Sequence, residues 1–286
     1  MVWKNMEINK IYNEDCLTTL NRMPENYVDF VVTSPPYGGG LKADEKTKET
    51  WRTYKGFSWD FEKIAKELYR VLKLGRHLTW VVADVTKNFS ESLDSFKQAI
   101  YFVEQCGFKL LDTMIYERSG GPPQYPGLLR YPHRFEYIFV LSKGKPSIYN
   151  PIKDVKNKYA GTMNKSSTQR QKDGTTKFSG DYLVKEMSIR GNVWRYNTGY
   201  NVDTQDKLAF KHPARFPEKL VNDLIVSFSN KDDLVYDPFG GSGTSALMAK
   251  ILERNFITSE ISKEYCEEII QKRFSERLKL NIGIIK

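Results

Sequence analysis

The chain is poor in the residues that build metal centres or disulfide frameworks. Its 286 residues hold three cysteines, Cys16, Cys106 and Cys266, and three histidines, His77, His133 and His212, all far apart. None shows paired spacing, so no zinc site, other metal site or disulfide scaffold is expected. No apolar run is long enough to span a bilayer, and Met1-Val2-Trp3-Lys4 opens no signal-peptide pattern. The expectation is a chain with no membrane partner in a reducing cytoplasm. No internal repeat is present.

Charge of one sign is unevenly supplied. The formal net charge is +9. Between Lys143 and Arg195 twelve Lys/Arg face four Asp/Glu, so this window carries +8 of it. A solvated surface insert would explain that. Nucleic acid explains it better, because the charge is concentrated and interleaved with Tyr159, Phe178, Tyr182, Trp194 and Tyr196. Lys153, Lys156, Lys158, Lys165, Arg170, Lys172, Lys177 and Arg190 are the candidate nucleic-acid contacts.

Strand-like and helix-like segments alternate outside that window. Residues 8–12, Val28–Val32, Leu78–Ala83, Leu110–Tyr116, Glu136–Ser142, Leu234–Tyr236 and Phe256–Ser259 read as strands. Residues 16–23, Phe61–Leu74, Ser92–Gln105, Glu218–Phe228, Ser245–Leu252 and Lys263–Leu280 read as helices, with Asp60 a cap and Gly75 a stop. This alternation predicts a doubly wound α/β sheet. Residues 38–58 read as a long mobile loop, in which Trp51 and Tyr54, with Trp59 just beyond it, could close over a substrate or simply anchor to the core. Three segments follow: 1–143, a basic insertion over 144–195, and 196–286, which completes the first.

Two motifs carry chemistry. After the apolar run Val28–Val32 comes Thr33-Ser34-Pro35-Pro36-Tyr37. Two prolines donate no ladder hydrogen bond, so the chain must leave the sheet in a stiff, extended form. Unpaired carbonyls then lie beside the Ser34 hydroxyl and the Tyr37 ring, offering acceptors for an amino group and a platform for a flat one. Asp237-Pro238-Phe239-Gly240-Gly241-Ser242-Gly243-Thr244 sits between a strand and a helix. Its glycines allow close backbone approach to a ligand at a helix N-terminus. Glu260, about twenty residues on, could accept from ribose hydroxyls. Gly241-x-Gly243-x-x-Ala246 also satisfies a dinucleotide fingerprint, so hydride transfer competes. Asp237 would repel a pyrophosphate but suits an ammonium, and the Pro-Pro-Tyr segment has no task in hydride transfer.

These residues converge on a family. The glycine segment resembles the S-adenosylmethionine motif of DNA amino-methyltransferases, and Thr33–Tyr37 resembles their catalytic motif. Asn13-Glu14-Asp15 resembles the segment whose acid meets the cofactor adenine. His212-Pro213-Ala214-Arg215-Phe216-Pro217 resembles the motif packed on the methionine end, and Gly191-Asn192-Val193-Trp194 a segment just upstream of it. The order, catalytic motif, insertion, cofactor motif, is similar to the beta arrangement, in which the insertion recognises the target.

The resemblance implies a seven-stranded, mostly parallel, Rossmann-like methyltransferase sheet with S-adenosylmethionine as cofactor. It implies Ser34, Pro35, Pro36 and Tyr37 as catalytic residues. Asp15, Phe216, Asp237, Pro238, Phe239, Gly240, Gly241, Ser242, Gly243, Thr244 and Glu260 would bind the cofactor. The substrate would be an exocyclic amine of a base flipped out of double-stranded DNA, with Ser34 Oγ and the Pro35 carbonyl accepting its protons and Tyr37 stacking on the base. Serine at position 34 favours cytosine N4, with adenine N6 the alternative. C5-cytosine chemistry would need an activated cysteine after proline, and Asp15, Gln105 and Tyr265 precede the three cysteines here. An RNA or protein methyltransferase and an inactive DNA-binding relative are further readings, disfavoured by the basic insertion and the intact motifs. A cognate restriction enzyme is a conceivable partner, and the chain is expected to be a monomer or homodimer.

Overall fold

The computed structural model describes residues 6–37, 59–119, 129–165, 168–197, 204, 206–212, 214–279 and 284–285. Nine strands form the main sheet: β1 (Lys10–Tyr12), β2 (Val28–Thr33), β3 (Leu72–Val82), β4 (Lys109–Arg118), β5 (Phe135–Ser142), β6 (Val193–Tyr196), β7 (Leu234–Asp237), β8 (Asn255–Ser259) and β9 (Ile284–Ile285). Their order is β6-β4-β5-β3-β2-β7-β8-β1-β9. Every pairing is parallel except those of β5, which runs antiparallel to both neighbours. The doubly wound sheet is as expected, with β6 and β9 added at its two edges.

The central strands are apolar because helices cover both faces. All six residues of β2 are buried. Asp29 and Thr33 are its polar residues, and Asp29 accepts from Lys73 Nζ (2.9 Å) and the Leu234 amide (3.0 Å). The helices are α1 (Cys16–Arg22), α2 (Phe61–Val71), α3 (Asp94–Glu104), α4 (Glu218–Phe228), α5 (Thr244–Ile251) and α6 (Gln271–Leu278). In α2 the stripe Phe61, Ile64, Ala65 and Leu68 is buried, and the Asp60 carboxylate caps the Lys63 amide at 3.1 Å.

The sequence pattern carries α2 to Leu74, but the helix ends at Val71. Leu72 pairs with Val28, and Lys73 is held on Asp29, so both residues are drawn into the sheet. Gly75 is therefore no helix stop. It lies within β3 at φ +78°, where a Cβ would meet Ser147 Oγ at 2.8 Å. The last helix begins as a π-helical turn over Tyr265–Ile270.

Residues 151–191 form a separate compact unit, shorter at both ends than the 144–195 read from composition. Asn150 is fixed to the end of α4 through Ser227 O and Ser229 O, and Val193–Tyr196 pairs with β4. Trp194 and Tyr196 are thus buried in the sheet unit rather than presented to a ligand. The unit itself is ordered as one long antiparallel hairpin. Val155–Lys156 pairs with Met187–Ser188, Met163–Asn164 with Tyr182–Leu183, and Thr168–Arg170 with Thr176–Phe178. Between the first two ladders one strand carries three more residues than the other, a large bulge over 157–162. The tip turns at 171–175, closed by Gln171 N to Thr175 O at 2.7 Å.

Candidate active site

The direction in which successive strands are added to the sheet reverses between the parallel neighbours β2 and β7: β7 leads through α5 to β8 on one side, and β2 leads through α2 to β3 on the other. In an open parallel sheet a crevice forms beyond the carboxyl ends of such a pair. Both chemistry-bearing motifs lie there, one at the end of each strand.

They are joined directly. Thr33 Oγ1 donates to Asp237 Oδ1 at 2.7 Å, and the same oxygen accepts the Phe239 amide at 3.0 Å. Asp237 is buried, and burial raises its carboxyl pKa, against hydrogen bonds that lower it. Thr33, read only as the lead-in to the catalytic residues, is thus the tie between the two motifs.

The glycine loop fits tightly over the end of β8. Gly240 N donates to Ser259 O (2.8 Å), and a Cβ on Gly240 would stand 2.6 Å from Thr258 Oγ1. Gly243 caps α5 at φ +75°, where a Cβ would stand 2.5 Å from Ile270 Cγ2. Gly241 N donates to Glu260 Oε2 and Ser262 N to Glu260 Oε1, each at 2.7 Å. Burial lifts the Glu260 pKa to about 7. Glu260 N in turn donates to Tyr12 O (2.9 Å), which brings β1 and its following acid to the same sheet end. Asp15 there caps α1 through the Leu17 amide at 2.8 Å. Phe216 is half-buried just before Pro217, the residue that opens α4. Pro213 lies outside the described residues.

Three side chains support this loop: His212, expected within its motif, Trp59, expected to close over substrate or anchor to the core, and Arg273, which was not read from sequence. The His212 ring lies against Gly241, with its Cε1 3.2 Å from where a Cβ would be, and burial lowers its pKa to about 4. Arg273 is 1 % exposed and donates to the Ser242 carbonyl, to Thr244 Oγ1 (3.1 Å), to Asp206 Oδ2 (2.6 Å) and to Glu218 Oε1 (2.8 Å). Trp59 packs edge-on against Phe239 with ring centroids 5.1 Å apart, and also against Phe61 and Trp80. Trp59 therefore anchors to the core. Trp51 and Tyr54, with the rest of 38–58, lie outside the described residues. The buried Trp59 Nε1 has no hydrogen-bond partner among the described residues. With a crowded glycine turn, a helix N-terminus and an ionisable Glu260, the site fits a ligand bearing hydroxyl donors and a flat, polar group.

On the β2 side, Ser34 is partly exposed and Pro35 buried. Ser34 Oγ lies 3.1 Å from Tyr37 Oη, and Tyr37 Oη donates to Glu136 Oε2 at 2.7 Å. Burial, with the Glu136 charge, pushes the Tyr37 pKa well above its ordinary value, so it stays a neutral donor. Glu136 also faces Arg118, whose Nη1 is 3.6 Å from Oε1.

A family model described as DNA methylase, covering N6 and N4 methyltransferases, matches residues 28–272. The chain belongs to this DNA methylase family. It is 47% identical over 242 residues to the orphan methyltransferase M.BamHII of Bacillus amyloliquefaciens, covering 84% of this chain and 86% of that one. Among solved structures, the PvuII DNA methyltransferase (cytosine-N4-specific) superposes with a TM-score of 0.60 at 21% identity, covering 89% of this chain and 82% of that one. The M1.HpyAVI–S-adenosylmethionine complex superposes with a TM-score of 0.55 at 21% identity, covering 92% and 98%. In this methylase the motif order is the beta arrangement.

The basic candidates lie in the hairpin unit. Lys153, Lys156, Lys158, Lys165, Arg170, Lys172 and Lys177 are exposed. Arg190 differs: it is held in an ion pair with Asp154, so its charge is already matched. Exposed Tyr159, Phe178 and Tyr182 accompany the lysines. Among the described residues no cluster of His, Cys, Asp and Glu could hold a metal ion, and no helix is long and apolar enough to cross a membrane.

Proposed function

We propose that this methylase transfers the methyl group of S-adenosylmethionine to the exocyclic N4 of a cytosine flipped out of duplex DNA. The observation that supports this reading is the Thr33–Asp237 hydrogen bond, which ties the segment leading into Ser34 and Pro35 to the start of the glycine loop. The amine lone pair is delocalised into the ring and is a poor nucleophile. Ser34 Oγ and the Pro35 carbonyl accept its two N–H groups, draw the nitrogen toward tetrahedral geometry and free the lone pair. Tyr37 supports the base, and positioning and electrostatics supply most of the rate. Asp15, Phe216, Glu260 and the loop from Asp237 to Thr244 hold the methyl donor, and the lysines of the hairpin hold phosphates. The family model spans both base types, so adenine N6 is the second reading.

Methylation of duplex DNA with labelled donor, followed by nucleoside analysis, tests this. N4-methylcytosine is the expected product. N6-methyladenine would reject the cytosine assignment and keep the reaction class, and unlabelled DNA would reject both.

Glu260 predicts a pH dependence. Its carboxyl pKa is about 7 in the folded chain, against 4.5 for an unperturbed glutamate side chain. The raised pKa favours the fold below pH 4.5, and that contribution is lost as pH rises through 7. Donor hydroxyls favour the carboxylate, so binding the methyl donor should release a proton below about pH 7. Affinity measured by calorimetry should rise about tenfold from about pH 6 to about pH 8. Glu260→Gln should bind more weakly and lose this dependence.

A further inference from the structure

The hydrogen-bond chain behind Ser34 ends on a residue with no assigned role. Tyr37 Oη spends its single proton on Glu136 Oε2 at 2.7 Å. In the 3.1 Å contact between Ser34 Oγ and Tyr37 Oη, Ser34 must therefore be the donor. Its lone pairs then point away from Tyr37, free to accept. Glu136 thus fixes, through one intervening ring, which way the Ser34 hydroxyl faces.

We propose that Ser34, Tyr37 and Glu136 form the exit route for the proton that methylation releases, with Glu136 as its acceptor. This rests on the amino-methyltransferase reading above. The N–C bond forms as the S–C bond of the sulfonium breaks, the donor leaves as a neutral thioether, and the positive charge passes to the amine. The amine proton moves to Ser34 Oγ, the Ser34 proton to Tyr37 Oη, and the Tyr37 proton to Glu136 Oε2. The methylated amine and the carboxyl group are then both neutral. Ser34 Oγ and Tyr37 Oη each give up one proton and gain one, Glu136 Oε2 gains the O–H bond that the amine nitrogen loses, and Tyr37 never becomes a phenolate, consistent with a ring hydroxyl held neutral by burial. The Glu136 side chain is 14% exposed, so its proton can pass to water after turnover.

Glu136→Gln separates this role from a structural one. The glutamine carbonyl still accepts from Tyr37 Oη, so the geometry is kept, but it cannot take up a proton. Under the proposal, kcat on duplex DNA falls about 100-fold, while KM for DNA and affinity for S-adenosylmethionine change less than about twofold. Tyr37→Phe cuts the same route, and the double variant should be no slower than Tyr37→Phe alone. Wild-type kcat in Glu136→Gln would overturn the proposal, as would losses that multiply in the double variant. Should Glu136→Gln fail to fold, judged by cofactor binding and thermal melting, the decision falls to Tyr37→Phe, where a kcat within about threefold of wild type would overturn it. Failure of the wild-type chain to label any DNA would instead reject the underlying reaction.

Discussion

Replacing Ser34 with alanine should slow methyl transfer by about 100- to 1000-fold and leave affinity for S-adenosylmethionine within about twofold. The magnitude is that of removing one preorganised polar partner from a charge-developing centre. The asymmetry follows from where Ser34 sits. Its Oγ contacts Tyr37 Oη and lies on the β2 side of the crevice. The glycine loop is held by other groups: Ser259, Glu260, His212 and Arg273. Alanine removes the acceptor and leaves those supports in place. Single-turnover kinetics on duplex DNA, paired with calorimetric cofactor binding, separates the two quantities. Equal losses in both would mean that Ser34 shapes the loop rather than holds the amine. Thr33→Val should behave differently, because Thr33 Oγ1 is the hydrogen bond between the motifs. It should weaken cofactor binding and turnover together.

The parts legible in the sequence were those with local causes. The apolar run of β2 ending in two prolines could only be a strand leaving a sheet, and it is. The glycine spacing required a tight turn before a helix, and Gly243 opens α5 at positive φ. The end of α2 was missed because Leu72 and Lys73 are claimed by β3 through partners at Val28 and Asp29, which no window around residue 72 reveals. Trp194 and Tyr196 look like ligand-facing aromatics by composition. They are core residues because a parallel edge strand forms against β4, 78 positions earlier in the register Trp194 to Tyr116. The hairpin over 151–191 escaped notice for a related reason: its strands are two or three residues long, and its pairing crosses a bulge. Glu136 and Arg273 were invisible as site residues because each sits in an ordinary element pattern. Only the sheet order brings Glu136 to Tyr37, and only the packing of α6 brings Arg273 under the loop.

Arg273→Met should destabilise the fold by about 3–5 kcal/mol and weaken cofactor binding at the same time. Methionine fills much of the volume, so the loss is one of charge and hydrogen bonds rather than of packing. The guanidinium is buried, and it matches the carboxylates of Asp206 and Glu218 while bonding the Ser242 carbonyl and the Thr244 hydroxyl. Without it Asp206 is left as a buried, unmatched charge. Glu218 fares better, because Arg277 also pairs with it. The larger part of the cost should therefore trace to Asp206, and Arg273→Met with Asp206→Asn should recover about half of the lost stability. Lysine should not substitute, since one ammonium cannot reach four acceptors spread around a planar fork. Chemical denaturation measures the stabilities. The cofactor affinity of the double variant then decides what the arginine does for the site. If stability returns and affinity does not, Arg273 holds the turn at Ser242 and Thr244 in its binding shape. If both return together, its contribution to binding is the stability of the fold alone.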